Sequence, residues 1–447
     1  MQNHVAIIGG GCAGLSTAIK LANQGCAVSL FEASGELGGR ARSIGIKNSH
    51  GTHTLDNGQH ILIGAYRATL RLLSTLGVAE HQACLRLPFS ILMLSNGASK
   101  LNIKLAPYLP TPLAMLIGLA TCQGLSFNDR LTGIAMMLRV SFMRYRISND
   151  LPLAHFLQQQ GQSANLINLL WEPISLAALN TPLRLASTQV FLNTLKDSLS
   201  SSPWFSRKKN SDFLLAKQDL SMLIGQPASA YLKKRGVRVE LNQRITAIVK
   251  SEQGYRITST RGSAVFSHVV LATAPHNASP LMANLMQLQA ETAMLEKFSY
   301  QPIYTVYVQY PAHTRLVRPM VGLAGDIGLW VFDRGQLCQQ HGLLAAVISG
   351  TGKHQDWTQT QLSLAIKAEL KQAFPELGEP LWHKVIAEKR ATYACIPNLA
   401  RPSQQTGLPN FYLAGDYTYA NYPATLEGAI RSGEICAAKI IASLKPN

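Results

Sequence analysis

Six residues near the start of the chain, Gly9-Gly10-Gly11-Cys12-Ala13-Gly14, have the types and spacing needed to hold the phosphates of a dinucleotide. Gly9 permits a tight turn, Gly11 lets the backbone approach a pyrophosphate, and Gly14 lets a helix and a strand pack closely. Cys12 and Ala13 open a helix whose free N–H groups and positive dipole end face the phosphates. Glu32 follows 18 residues after Gly14, where its carboxylate can accept from both hydroxyls of a ribose and repel a 2′-phosphate. Ala33 leads into Gly35-Glu36-Leu37-Gly38-Gly39-Arg40-Ala41, which offers a second close backbone approach and, in Arg40, a forked donor for phosphate oxygens. Far along the chain, Gly415-Asp416 ends the apolar segment FYLA and sets an acid at a strand's carboxyl edge. Three distant elements converge on one extended cofactor.

The elements that must position these residues are legible in the hydrophobic pattern. An apolar run over residues 5–8, a helical face of Leu15, Ala18, Ile19 and Ala22, and a second run over 27–31 make a βαβ unit. From Pro88 to about Pro203 the pattern is long-period and poor in β-branched alternation, which predicts an inserted helical section. After Asp219 the spacing predicts a helix over 223–234, then strands VRVEL, ITAIV, YRITS and VVLATA. Alternation over 302–310, with strands around 329–332 and 343–348, predicts a second sheet, and a helix is expected from Thr425 to the C-terminus.

The 447 residues exceed what one core organises, so at least two folding units are expected. With 47% apolar and only 15% charged residues the chain is neither a disordered polyelectrolyte nor a coiled coil. The 41 Lys and Arg against 24 Asp and Glu give a net charge of +17, compatible with nucleic acid, anionic lipid or a phosphorylated ligand. Seven cysteines scattered singly support neither a disulfide framework nor a metal site, and fit a reducing, cytoplasmic compartment. The longest apolar run, LAMLIGLA at 113–120, is far short of the roughly 18–20 residues of a spanning helix. No nucleic-acid motif is present; Arg207-Lys208-Lys209 beside Trp204 reads as a solvated loop.

The run Glu32 through Arg40, read as E-x-x-G-x-x-G-G-R after the first βαβ unit, together with the late Gly-Asp, resembles the flavin amine oxidase and phytoene desaturase superfamily. The resemblance implies FAD. It also implies an α/β fold: a discontinuous Rossmann-like FAD domain of the GR2 type over 1–85, 205–280 and 395–447. The mixed α+β substrate domain would occupy 86–204 and 281–394. By the same likeness Glu32 holds the adenosine ribose, Gly38, Gly39, Arg40 and Ala41 line the pyrophosphate and flavin side, and Ile245 meets the adenine through its backbone. Asp416 would bind pyrophosphate or ribitol, and the amides near Thr425 and Leu426 would face the flavin pyrimidine from a helix N-terminus.

Three further stretches are similar to the squalene-associated branch, the hydroxysqualene dehydroxylases: LDNGQH followed by GAYRATLRLL, LWEP with LAALNTP, and YPATLEGAIRSG. Cys12 departs from the bulkier residue expected in the turn. The likeness implies a reduction in squalene and hopanoid biosynthesis: an allylic hydroxyl leaves as water and the carbon receives hydride from reduced FAD. Asp56, His60 and Glu172 are the candidate proton donors, because an acid buried among apolar side chains stays protonated near neutrality. Each has a plainer reading. Asp56 caps the helix GAYRATLRLL or shares a helical face with His60, with Gly58 between them arguing for a turn; His60 is a packing residue; Glu172 caps or orients a helix. Glu427, in the first turn of the last helix, reads as structural.

A C30 isoprenoid must come from a bilayer or from the synthase that forms hydroxysqualene. The segment 105–127 is the expected monotopic contact on the inner face of the cytoplasmic membrane or, equally, the wall of an internal tunnel. Lys100, Lys104, Arg130, Arg139, Arg144 and Arg146 flank it, and each adds about 1 kcal/mol of attraction to anionic headgroups. Two other classes remain: oxidation by the same flavin, as in a carotenoid desaturase or amine oxidase, and a flavin-free isoprenoid carrier. Glu32, Arg40 and Asp416 together argue against the carrier. With one dinucleotide fingerprint in the chain, NAD(P)H would have to visit without a Rossmann domain of its own, or a separate reductase supplies the electrons.

Overall fold

Five strands drawn from the beginning, middle and end of the chain build one parallel sheet. In a computed structural model that describes residues 3–200, 206, 208–325, 327 and 330–444, its strand order is Arg238–Glu240, Ala27–Phe31, His4–Ile8, His268–Leu271, Phe411–Leu413. All four pairings are parallel, with Ile7 opposite Leu30 on one side and Val270 on the other. Such strands are covered on both faces, which is why they read as unbroken apolar runs. The helix Cys12–Ala22 covers one face, and the last helix, Leu426–Leu444, packs against it so closely that a Cβ on Gly433 would sit 2.1 Å from Ser16 Oγ. Ser16 and Thr17 hydroxyls donate across this contact to the carbonyls of Ile430 and Gly433.

The second sheet has seven strands, ordered Trp382–Tyr393, Tyr300–Gln309, Leu343–Ser349, Trp330–Asp333, Met320–Leu323, Ser90–Ser95, Ala98–Lys104. Its two faces follow from the period of 2. Val331, Leu344 and Ala346 pack under Leu362, Ile366 and Leu370 of the helix Gln359–Ala373. Trp330, Phe332 and Val347 point the other way, toward a cavity between the two sheets.

The inserted section is helical only from Thr111 onward. Residues 90–104 form an antiparallel hairpin at the edge of the second sheet, turned at Asn96-Gly97 with φ of 51° and 70°. Both values are positive, the geometry of a two-residue hairpin turn. The helix expected over 223–234 begins instead as a π-turn, Ser221–Gly225, and continues regularly as Gln226–Lys234. Pro203, Trp204, Arg207 and Leu329 lie outside the described residues. Lys208 pairs with Glu80 at 3.1 Å, and Lys209 is buried rather than solvated, its amide donating to Asp212 at 2.8 Å.

Candidate functional site

A cavity of about 1010 Å³ opens at the carboxyl ends of the parallel strands and runs to the inner face of the second sheet. Strand ends are where open α/β sheets take ligands. Gly9, Gly11, Cys12, Ala13, Glu32, Ala33, Gly38, Gly39, Arg40, Ala41, Ile245, Gly415, Asp416, Thr425 and Leu426 all line it. Gly14 does not. Its place is in the packing, since a Cβ there would lie 1.9 Å from Gly9 O. Gly9 itself has φ +111°, which a side chain would make strained.

Glu32 is fixed from two directions: Oε2 accepts from Gly10 N at 2.7 Å and Oε1 from Ser34 N at 2.8 Å. These bonds hold the carboxylate at the second strand's end and leave lone pairs for a diol. No side chain caps the helix that starts at Cys12, so its first N–H groups remain available to an anion. The Cys12 thiol is buried and pushed up to about 12 by that burial, so it is a neutral lining group. At the opposite wall Thr425 Oγ1 accepts from Gly428 N at 3.1 Å and starts the last helix. Arg40 Nη2 donates to Asp416 Oδ2 at 2.7 Å, joining the early turn to the late one. That partner raises the Arg40 pKa further.

Polar atoms around this cavity are left without partners among the described residues: Arg42 Nε, Gln59 Nε2, Gln243 Oε1, Thr273 Oγ1, His276 Nδ1 and Tyr417 Oη. Buried groups in that condition cost stability unless a ligand satisfies them. Six of them spread over one elongated cavity fit a dinucleotide with polar groups along its whole length. Beyond them the wall turns apolar, with Leu176, Leu281, Ile303, Trp330, Phe332 and Val347.

The three proton-donor candidates separate. His60 lines the cavity; its Nδ1 sits 2.7 Å from Gly58 O, and its pKa is lowered first by burial, with Gly58 and Asp56 partly opposing. Asp56 does not line it. It ends the strand Gly51–Asp56 and is fully buried, with Oδ2 accepting from Arg334 Nη1 at 2.6 Å and Oδ1 from Leu220 N at 2.8 Å. It neither shares a helical face with His60 nor caps the following helix, Arg67–Thr75. That helix is capped from across the fold by Glu427, which accepts from Ala68 N at 3.0 Å and Thr69 N at 2.8 Å. Glu172 opens the helix Glu172–Leu179 but is not among the lining residues, although Leu176, Ala177 and Ala178 of that helix are; burial raises its pKa.

Gln59 and Tyr66 also line the cavity and were not singled out from sequence. Gln59 lies between two candidates that were, and its signal is its burial, which composition does not carry. Among the described residues no cluster of His, Cys, Asp and Glu is arranged to hold a metal ion.

Residues 12–441 match the family described as flavin containing amine oxidoreductase. The chain is 28% identical to the hydroxysqualene dehydroxylase of Rhodopseudomonas palustris, covering 99% of each. It is 25% identical to the 15-cis-phytoene desaturase of Arabidopsis thaliana over 98% of this chain and 80% of that one. Among solved structures, cyclohexylamine oxidase from Brevibacterium oxydans superposes with a TM-score of 0.71 at 18% identity, covering 100% of both chains, a likeness of fold. The glycine turn with Glu32, the Arg40–Asp416 tie and the helix starting at Leu426 surround a cavity built for one long cofactor, and the chain belongs to the flavin-containing amine oxidoreductases, with FAD as that cofactor.

Proposed function

We propose that this oxidoreductase removes the hydroxyl of hydroxysqualene reductively, giving squalene and water. The observation that carries the reading is the cavity's division: a polar length fitted to FAD continues into an apolar end, and His60 is the candidate acid that lines it. The full-length relatedness to hydroxysqualene dehydroxylases supports the same reading.

FAD, when bound and reduced, supplies the hydride. The chain supplies a proton and a dry place to use it. One C–O bond breaks, the oxygen leaves as water with the added proton, and a C–H bond forms at the carbon that carried it. With Nδ1–H given to Gly58 O, His60 has Nε2 left for the cavity. Burial makes its protonated form a stronger acid than a free imidazolium, suited to a poor leaving group. Trp330, Phe332 and Ile303 exclude water from the allylic cation. Because burial lowers the His60 pKa, the rate should rise as pH falls through and below about 6.5, levelling only beneath the pKa of His60.

The substrate reaches the site from a bilayer in this reading. No described helix is long and apolar enough to cross a membrane. However, Tyr108, Leu113, Ile117, Phe127, Leu131, Leu138 and Phe142 are all exposed on the segment around the helices Thr111–Ala120 and Phe127–Phe142. An exposed apolar group of this size, flanked by basic residues, fits an anionic membrane surface.

The anaerobic product assay decides the reaction. Dithionite-reduced protein given hydroxysqualene should yield squalene and oxidised flavin. Bleaching of oxidised flavin by a polyene, with no squalene formed from the alcohol, would instead indicate a desaturase.

A further inference from the structure

Residues 57–60 belong to no strand or helix, yet they carry His60, so contacts outside the turn must hold it. Downstream the turn runs into the strand Ile61–Ile63, which pairs with Phe213–Ala216. Upstream it is held from the second sheet. Arg334 Nη1 donates to Asp56 Oδ2 at 2.6 Å and to Gln59 Oε1 at 2.8 Å, one acceptor on each side of Asn57 and Gly58. Its Nε donates to Gln340 Oε1 at 2.8 Å, and Gln340 Nε2 donates in turn to Thr54 O at 2.8 Å, on the strand that leads into the turn. Tyr307, from another strand of the second sheet, donates its hydroxyl to Asp56 O at 2.9 Å.

Arg334 is itself fixed. It follows the strand Trp330–Asp333 and opens the helix Arg334–Cys338, whose N-cap Asp333 accepts from Gln336 N at 3.0 Å and, through its other oxygen, from Leu316 N at 2.8 Å. Trp330 and Phe332 of that strand belong to the apolar wall of the cavity. Gly58, whose carbonyl holds the His60 ring, lies beside the same wall: a Cβ there would stand 4.0 Å from Ile303 Cγ2. Arg334 and Asp56 are both fully buried. Desolvating two charges offsets much of their attraction, so the pair is weak evidence of stability for its own sake. What directional bonds add is geometry, and displacing a catalytic group by about 1 Å costs on the order of a hundredfold in rate.

We propose that Arg334 is the positioning residue for His60: one guanidinium nitrogen, reaching across from the second sheet, ties both ends of the turn that presents the imidazole and so holds the acid in one place relative to the apolar wall. The proposal rests on the dehydroxylase reading, in which His60 delivers the proton to the leaving hydroxyl. Asp56 and Gln59 are the two handles by which the turn is held. The strand that supplies the apolar wall and the residue that places the acid are then one continuous segment, so the substrate carbon and its proton donor are set by the same element.

The test measures kcat and KM for hydroxysqualene with flavin-loaded, dithionite-reduced protein. Arg334→Met alone strands a buried carboxylate, so it is combined with Asp56→Asn; Gln59→Leu releases the other end of the turn with no charge left over. Both proteins should keep KM within about twofold, and kcat per bound flavin should fall about tenfold in Gln59→Leu and about a hundredfold in the combined variant. Neither loss should add to that of His60→Gln: with the acid gone the clamp has nothing to place, so adding either change to His60→Gln should slow it no further. Losses that add in full would mark a merely structural role and overturn the proposal. So would an unaltered kcat per bound flavin in both clamp variants, or in His60→Gln. The two readings fail separately. Unaltered reduced protein that makes no squalene removes the dehydroxylase reading and this proposal with it, whereas squalene formed at a rate that depends on His60 and not on the clamp removes the positioning role alone.

Discussion

Arg40 Nη2 lies 2.7 Å from Asp416 Oδ2, a contact between residues 376 positions apart that closes the cofactor cavity from both ends of the chain. Arg40 also donates to the carbonyl of Ala391 at the end of the strand Trp382–Tyr393, so one guanidinium links the parallel sheet, the second sheet and the C-terminal turn. Its side chain is 41% open and lines the cavity, while Asp416 is buried.

Removing either partner is expected to weaken FAD binding by at least tenfold. Arg40→Met leaves Asp416 a buried acid without its cation, and Asp416→Asn leaves the arginine without its counter-charge. Flavin-to-protein absorbance ratios after gel filtration measure both. Arg40→Lys should recover only part of the loss, because a single ammonium cannot reproduce the fork. Full flavin content in Arg40→Met would show that the contact is incidental.

Glu427 should behave as a structural acid. It is fully buried, accepts from two amides and a hydroxyl at the start of the helix Arg67–Thr75, and receives Arg431 Nε at 2.7 Å. Glu427→Ala strands those donors and is expected to cost about 3–5 kcal/mol in denaturant unfolding. Flavin content should fall too, since Tyr66 and Leu426 beside this contact line the cavity.

Folding stability should decline as pH falls from about 7 toward 5. Burial lowers the pKa of His4, His60, His268, His276, His354 and His383. A histidine of this kind binds more protons unfolded than folded below its ordinary value of about 6.5, so stability rises with pH there and is lost as pH drops through the window. Glu172, raised by burial, has the opposite sign: its contribution is present below the ordinary carboxylate range and lost as pH rises through its folded value. Thermal midpoints from pH 5 to 8 test the net slope, and His268→Gln should flatten it.

Vesicle sedimentation tests the exposed apolar segment. Phe127 is 75% and Phe142 86% exposed, the first and last residues of a single helix. Phe127→Asp with Phe142→Asp should reduce binding to anionic vesicles by tenfold or more while leaving flavin content intact. Binding of the unaltered protein should weaken with salt. Equal binding to neutral and anionic vesicles would remove the basic flank from the account.

Sequence alone determined the cofactor half of the molecule. A glycine turn works through local backbone geometry, and an acid 18 residues later is placed by one βαβ unit, so both are written in short-range spacing. The long-period reading of residues 88–203 missed the hairpin at 90–104. SILMLS is nearly continuously apolar because it is paired on both sides within the sheet, and Asn96-Gly97 is the local turn signal that was passed over. The roles of Asp56, His60 and Glu172 were undecidable from spacing. Asp56 and His60 are four apart, yet a turn sends one carboxylate to Arg334, 278 residues away, and the imidazole into the cavity. Whether a buried polar group is a donor to substrate or a brace for its neighbour depends on which distant side chain occupies its other end, and only the tertiary fold brings those ends together.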